Sequence, residues 1–320
     1  MTLSRRDLFS AAAGTLVASS LTAAFPKAVS AADGVNRPAN EPFGYCLNTS
    51  TIRGQKVGIV GEVDIASKAG YHAIEPWMGE LDTYVKEGGS LADLNKRIKD
   101  SGLTVESAIG FAEWIVDDDA RRAKGLENAK RDMDTLAAIG GKRLAAPPVG
   151  VTKPTDPDVD LRKAGERYRA LCEIGEKAGI VPQVEVWGFS KNLSRLSESM
   201  YVAFESGHPN ACLLADVYHL HKGGSDFNGM RLVAGRAMHV FHINDYPATP
   251  DRAGLKDADR VYPGDGVAPI STLLREMRDG GFRGYLSLEL FNPEYWKQDP
   301  QAVAKTGLEK IKASVAKALA

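Results

Sequence analysis

The sequence predicts a single (β/α)₈ barrel, and three observations carry that expectation. Eight short apolar runs alternate with amphipathic stretches from about residue 42 to the end. The junction from helix to strand recurs as a glycine followed by an apolar run, in "KAGYHAIE", "DSGLTVES", "AIGGKRLA" and "KAGIVPQVE". The segment after the first strand, "STIRGQKVG" (50–58), lacks the glycine spacing with which an open doubly wound sheet cradles a phosphate. Eight βα units in about 280 residues match the barrel in count and length.

The strands are read at 43–50 ("FGYCLNTS"), 72–77 ("HAIEPW"), 104–110 ("TVESAIG") and 143–149 ("RLAAPPV"). Four more follow at 182–188 ("PQVEVWG"), 211–219 ("ACLLADVYH"), 238–245 ("MHVFHIND") and 285–291 ("YLSLELF"). Helical periodicity falls near 58–69, 90–101, 118–139, 158–178, 193–206, 227–236, 269–280 and 300–319. Gly70, Gly102, Gly140, Gly179 and Gly281 stand just past helix ends, where a left-handed cap turns the chain toward the sheet. No second domain and no low-complexity linker interrupts the pattern.

The 320 residues are 43% hydrophobic and 25% charged, an ordinary globular composition. With a net charge of −1 and no basic stripe, the chain carries no nucleic-acid footprint. The N-terminus reads as a targeting segment. Paired arginines in "SRRDLF" (4–9) precede an apolar run (11–25), and small residues follow in "AVSAAD" (28–33). The run is too short and alanine-rich for a membrane span, and the twin arginines resemble a Tat export signal. The expected organisation is a signal over 1–31, a short linker over 32–41 and the barrel over 42–320, in a periplasmic protein. Cys46, Cys172 and Cys212 read as buried thiols and make no disulfide framework.

The last four strands each end on a charged or imidazole group: Glu185, Asp216, His242 and Glu289. Strands of a parallel barrel are buried on both faces, so carboxylates at their C-terminal ends point into the mouth, where this fold keeps its chemistry. Each could be paired locally, with an arginine for instance. Together, three carboxylates converging on one cavity repel and raise one another's pKa values. A divalent cation removes that conflict. Oxygen donors with one imidazole suit Mn²⁺, Mg²⁺ or Co²⁺ better than a thiolate-rich zinc site.

In this order, "VEVWG", "LLADVYHLH", "HVFHIND" and "LSLELF" resemble motifs of the xylose isomerase-like sugar isomerase/epimerase superfamily. That group includes ketose 3-epimerases, hydroxypyruvate isomerases and inosose dehydratases, and more distantly endonuclease IV. The resemblance implies that Glu185, Asp216, His242 and Glu289 bind one divalent metal, with Glu185 and Glu289 also serving as acid/base groups. It further implies that His219 and Arg260 contact substrate, and that Glu75, in the place of the family's common "IE" strand end, is a substrate contact too. The 17-residue segment 244–260 is longer than the family leads one to expect, which makes Arg252 an alternative to Arg260. Homo-oligomers are common in that family.

Such a site makes acidic a C–H beside a carbonyl, with the metal stabilising an enediolate. Returning the proton to the opposite face epimerises the centre. Returning it to the neighbouring carbon isomerises aldose and ketose, and loss of a β-oxygen makes the enzyme a lyase or dehydratase. An exported metal-dependent carbohydrate isomerase or epimerase is the leading expectation. The alternative is a lyase acting on an inosose or 3-keto-glycoside. An endonuclease IV-like phosphodiesterase and a non-catalytic sugar binder stand behind both. Trp77, Trp114 and Trp187, with Tyr218, Tyr246 and Trp296, either form an aromatic rim for a larger carbohydrate or cap the barrel. "VDDDARR" (116–122) reads as an acidic helix start in preference to a second metal site.

Overall fold

A computed structural model describes residues 41–320. The predicted signal over 1–31 and nearly all of the linker lie outside the described residues. Eight parallel strands run β1 (Gly44–Asn48), β2 (Ala73–Glu75), β3 (Thr104–Val105), β4 (Arg143–Ala146), β5 (Val181–Glu185), β6 (Leu213–Asp216), β7 (Met238–Ile243) and β8 (Tyr285–Leu288). Their order is β3-β2-β1-β8-β7-β6-β5-β4, and bridges from Val105 to Gly141 and from Ala108 to Leu144 close the ring. The chain is a (β/α)₈ barrel.

The helices around it are α1 (Gly58–Ala69), α2 (Met78–Lys86), α3 (Leu91–Asp100), α4 (Asp119–Ala138), α5 (Leu161–Ala178) and α6 (Leu196–Ser206). They continue with α7 (Val217–Lys222), α8 (Ile270–Asp279), α9 (Pro293–Trp296) and α10 (Pro300–Leu319). Among the described residues no helix is long and apolar enough to cross a membrane. Each strand is shorter than its apolar run; the residues that follow leave the sheet, as a 3₁₀ turn after β1 and as α7 directly after β6. The 227–236 stretch forms two 3₁₀ turns in place of a helix. The second helices α2 and α7 carry too few residues to show a periodicity of their own. The five glycine junctions hold: at Gly70 φ is +92°, and its N–H bonds the carbonyls of Ala66 and Ser67, ending α1 where β2 must begin.

Strand alternation then decides what the barrel encloses. Cys46, Ala73, Ala145, Leu214, Val240 and Tyr285 form a separate buried cluster, distinct from the larger core between sheet and helices. Two residues further along the same strands, on the same inward face, stand Asn48, Glu75, Asp216, His242 and Ser287. Register aligns Asn48 with Glu75, Asp216 with His242, and His242 with Ser287. An apolar floor therefore lies directly under a polar layer at the C-terminal mouth. All three cysteines are buried and free.

Candidate active site

Asp216 closes β6 and is fully buried. One carboxylate oxygen, Oδ1, accepts the His219 N–H at 2.8 Å, capping α7. The other, Oδ2, accepts from Asn244 Nδ2 at 2.9 Å and Arg260 Nη1 at 2.8 Å. Glu289, one residue beyond β8, accepts from the same Arg260 Nη1 at 2.8 Å through Oε2. His242 on β7 turns Nδ1 toward both, 3.2 Å from Glu289 Oε2 and 3.9 Å from Asp216 Oδ2. The ligating atoms of Asp216, His242 and Glu289 all lie within 4.8 Å of one another.

Glu75 has a different place from that expected. Its Oε2 sits 3.0 Å from His242 Nε2 and accepts Ser287 Oγ at 2.6 Å and Asn48 Nδ2 at 2.9 Å. It is fully buried beneath the site, so it supports His242 where a substrate contact was expected. Glu75 takes the Nε2–H, and Nδ1 faces the two carboxylates; against the effect of burial, Glu289 and Glu75 hold the imidazole above its ordinary value, so a cation bound there would take the place of the Nδ1 proton. Asn48 extends the network, donating to Glu289 Oε1 at 3.3 Å and accepting Trp77 Nε1 at 2.9 Å.

Glu185 ends β5 and lines the same cavity, yet it stands outside the close trio. Burial pushes its carboxyl up to about 8, with the Glu289 charge adding to the effect and His242 opposing it. Burial would also raise Glu75 and Glu289, but the His242 imidazole and, for Glu289, the Arg260 guanidinium hold both below the usual carboxylate range. His219 is pushed down to about 3, by burial first and by Arg260 as well.

Arg260 is buried and reaches Asp257, His219, Asp216 and Glu289 together, over the Tyr218 ring. Arg252 has no such place; it lies against Gly224, with its carbonyl taken by Lys222. The long 244–260 excursion leaves Arg260 in reach because its base is pinched. Asp245 and Val261 pair antiparallel, and the Asp245 carboxylate accepts from the N–H groups of Gly264, Gly266 and Ala268.

The donor set fits a divalent cation. Arg260 covers part of the acidic charge, so local pairing with an arginine is partly realised. It leaves His242 Nδ1, Glu185 Oε2 and Glu75 Oε1 buried without a hydrogen-bond partner. Orphaned buried groups of this kind cost about 1–3 kcal/mol each unless something binds them. Of these, Glu185 Oε2 and His242 Nδ1 are an oxygen donor and a borderline nitrogen donor, a pairing that first-row divalent cations accept, while Glu75 lies under His242.

A cavity of about 400 Å³ opens above this layer, lined by Glu185, His219, Arg260 and Glu289 and walled by aromatic rings. Trp77 and Trp187 stand in that wall, and so does Trp296. Trp114 does not. It is fully buried, donates its indole N–H to the Pro147 carbonyl at 2.9 Å and packs on Tyr168, as a core residue. Tyr246 stacks on His221 away from the wall. Sequence reasoning missed Phe111, Phe189 and Phe291, which complete the wall, Asn48 and Asn244, which bond Glu289 and Asp216, and Asp257 and Ser287, which bond Arg260 and Glu75. Asn48 was findable as a polar residue at the tip of an apolar strand; the others follow from contacts across the ring.

The acidic start of α4 is structural. Asp118 caps the helix by accepting the Arg121 N–H at 2.8 Å, Asp117 pairs with Arg167 and Asp119 with Arg122. His72 lies against Tyr45, His208 beside Glu176 and His239 at the start of β7, all away from the trio.

A sequence profile for the xylose isomerase-like TIM barrel family matches residues 63–314. An inosose isomerase from Bacillus velezensis is 26% identical over 274 residues, covering 85% of this chain and 97% of that protein. A 3-dehydro-D-guloside 4-epimerase from Escherichia coli K12 is 22% identical over 213 residues, covering 62% of this chain and 77% of that one. A crystal structure of the IOLI protein with a bound zinc atom superposes with a TM-score of 0.79 at 24% identity, covering 86% of this chain and 99% of that chain.

Proposed function

The chain belongs to the xylose isomerase-like TIM barrel family, and from that premise we propose that it is a divalent-metal-dependent isomerase or epimerase of a carbohydrate ketone. The observation that carries this reading is the trio of Asp216, His242 and Glu289, with His242 Nδ1 buried and facing both carboxylates. The names of the relatives, an inosose isomerase and a keto-sugar epimerase, give the reading its substrate class.

Asp216, His242 and Glu289 would hold the cation, with Glu185 completing the set from across the cavity. When bound, such a cation supplies the positive charge that makes a C–H beside a carbonyl acidic. The chain's own residues do the rest. Glu185 and Glu289 face the cavity from β5 and from the end of β8, separated in the ring by β6 and β7. One removes the proton and the other returns it from the far side, which inverts the carbon. Arg260, whose N–H groups are taken by Asp216, Glu289, Asp257 and His219, holds these groups in place at the cavity, and His219 Nδ1 is the nitrogen left to meet a substrate oxygen.

The test is incubation with an inosose and with ketohexoses in D₂O plus Mn²⁺, Mg²⁺, Co²⁺ or Zn²⁺, followed by proton NMR. Deuterium is expected at one carbon beside the carbonyl, and Glu289→Gln should abolish its uptake; uptake that survives in the variant removes Glu289 from proton transfer. Loss of water or of an alcohol from the β-carbon, with a carbon–carbon double bond formed, would make the enzyme a lyase.

The twin arginines support export of the folded enzyme to the periplasm. Replacing Arg5 and Arg6 by lysine should leave the protein in the cytoplasmic fraction, and unchanged periplasmic recovery would refute export by that signal.

A further inference from the structure

A second cavity, of about 370 Å³, lies at the opposite end of the barrel and shares no residue with the one at the mouth. The starts of β4, β5 and β7 line it, together with the turn that leads into β6, part of α6 and the 3₁₀ turns before β7. Met200, Phe204, Leu213, Leu232 and Val233 give it an apolar body. Phe204 and Leu232 are 71% and 74% exposed, so the barrel leaves both of these side chains uncovered. Exposed apolar groups around a cavity of this size mark a binding surface.

Two buried polar side chains interrupt that lining, Arg143 and His239, each only 8% exposed. His239 gets there through an irregularity of the sheet. Between Leu213 and Ala215 β6 advances two residues, while β7 beside it advances three, from Met238 to Phe241. His239 and Val240 therefore share the place opposite Leu214, a bulge of the kind that re-aims a side chain. A purely structural role would leave the two polar groups satisfied. Instead, His239 Nδ1 and Arg143 Nε have no hydrogen-bond partner among the described residues. Such groups are costly to bury unless something binds them. The charge is unbalanced as well. The Glu106 carboxylate that pairs with Arg143 at 3.0 Å is shared with Lys142 at 2.7 Å. One negative charge thus answers two positive ones, and the exposed Arg236 adds a third at the rim. Among the described residues that line the cavity, none is acidic. An uncharged ligand would leave that excess unanswered, and a small hydrophilic anion would leave the apolar body wet.

We propose that this cavity is a second ligand site, for a carboxylate with an aryl or alkyl body: the carboxylate accepts N–H bonds from Arg143 and His239, and the body lies along Met200, Phe204 and Leu232. The site needs nothing from the cation or the carbohydrate at the mouth.

Calorimetric titration of the intact protein with phenylbutyrate and with octanoate tests it, with phenylbutanol and inorganic phosphate as controls. Both carboxylates should bind once per chain, at about millimolar Kd or tighter, and each control at least about tenfold more weakly. Ala234→Trp, at an exposed position on the lining, should abolish carboxylate binding with Tm unchanged. His239→Leu should weaken it about tenfold. Absence of carboxylate binding overturns the proposal, and so does phenylbutanol binding as tightly as phenylbutyrate. Carboxylate binding that Ala234→Trp leaves intact overturns it too, because the ligand then sits elsewhere. A dimer that Leu232→Asp makes monomeric, with the carboxylates bound by neither form, would make this face an interface between copies of the chain and overturn the ligand site.

Discussion

At the scale of single residues, Glu75 shows how a position can be found and its role misjudged. A carboxylate at a strand tip announces chemistry, but only the packed ring shows that its oxygen meets His242 Nε2 and not the cavity. Its work is to fix the imidazole tautomer and aim. Removing a partner of this kind from a metal-ligating histidine costs roughly 10–100-fold in metal affinity. Glu75→Gln keeps the shape and the bonds to Ser287 and Asn48 within reach, so the fold should survive. Calorimetric titration should then show divalent-cation binding weakened by about one to two decades. Unchanged affinity would mean that the Glu75–His242 contact is structural alone. Arg260 is the second case. Its Nη1 touches the Asp216 and Glu289 oxygens that face His242, so the two carboxylates that would hold a cation are already partly neutralised by the guanidinium.

At the scale of elements, α4 separates a helix start from a metal site. Asp118 holds the N-cap, and the flanking aspartates are paired with arginines. Asp118→Ala should lower stability by about 1 kcal/mol, seen as a lower Tm, with metal stoichiometry per chain unchanged. A drop in bound metal would restore a second site. The same distinction explains what the sequence makes legible. Asp216, His242 and Glu289 end apolar strands, and a period of two puts them on one face with Glu185; no fold constraint other than a barrel mouth would gather them. The α1 boundaries could be read because Gly70 must take a positive φ there. What stayed hidden depends on neighbours distant in the chain. Asn48 and Glu289 are 241 residues apart and meet only because β1 and β8 pair. Trp114 and Trp187 look alike in sequence, and whether an indole lines the mouth or fills the core is settled by the loop that carries it.

At the scale of the whole molecule, the barrel is filled differently along its axis, and this sets how it responds to acid. Below the polar mouth lies the apolar floor, and at the opposite end His239, second residue of β7, lies near Arg143, away from any proposed metal ligand. Burial, aided by the Arg143 charge, pushes the His239 imidazole down to about 3. In the unfolded chain it titrates near 6.5, so between these values the unfolded state binds the extra proton. The stabilisation that comes from keeping His239 neutral is therefore complete above about pH 6.5, and it is lost as pH falls toward 3. Within that window the group contributes a slope of at most about 1.4 kcal/mol per pH unit. His239→Gln removes the titration at similar size. Urea midpoints measured from pH 7 down to pH 4 should fall less steeply in the variant than in the parent chain. Metal affinity at pH 7 should match the parent's, since His239 faces away from His242. Parallel slopes for the two proteins would mean that His239 takes up its proton in the folded barrel near its ordinary value, and that this end of the barrel admits water.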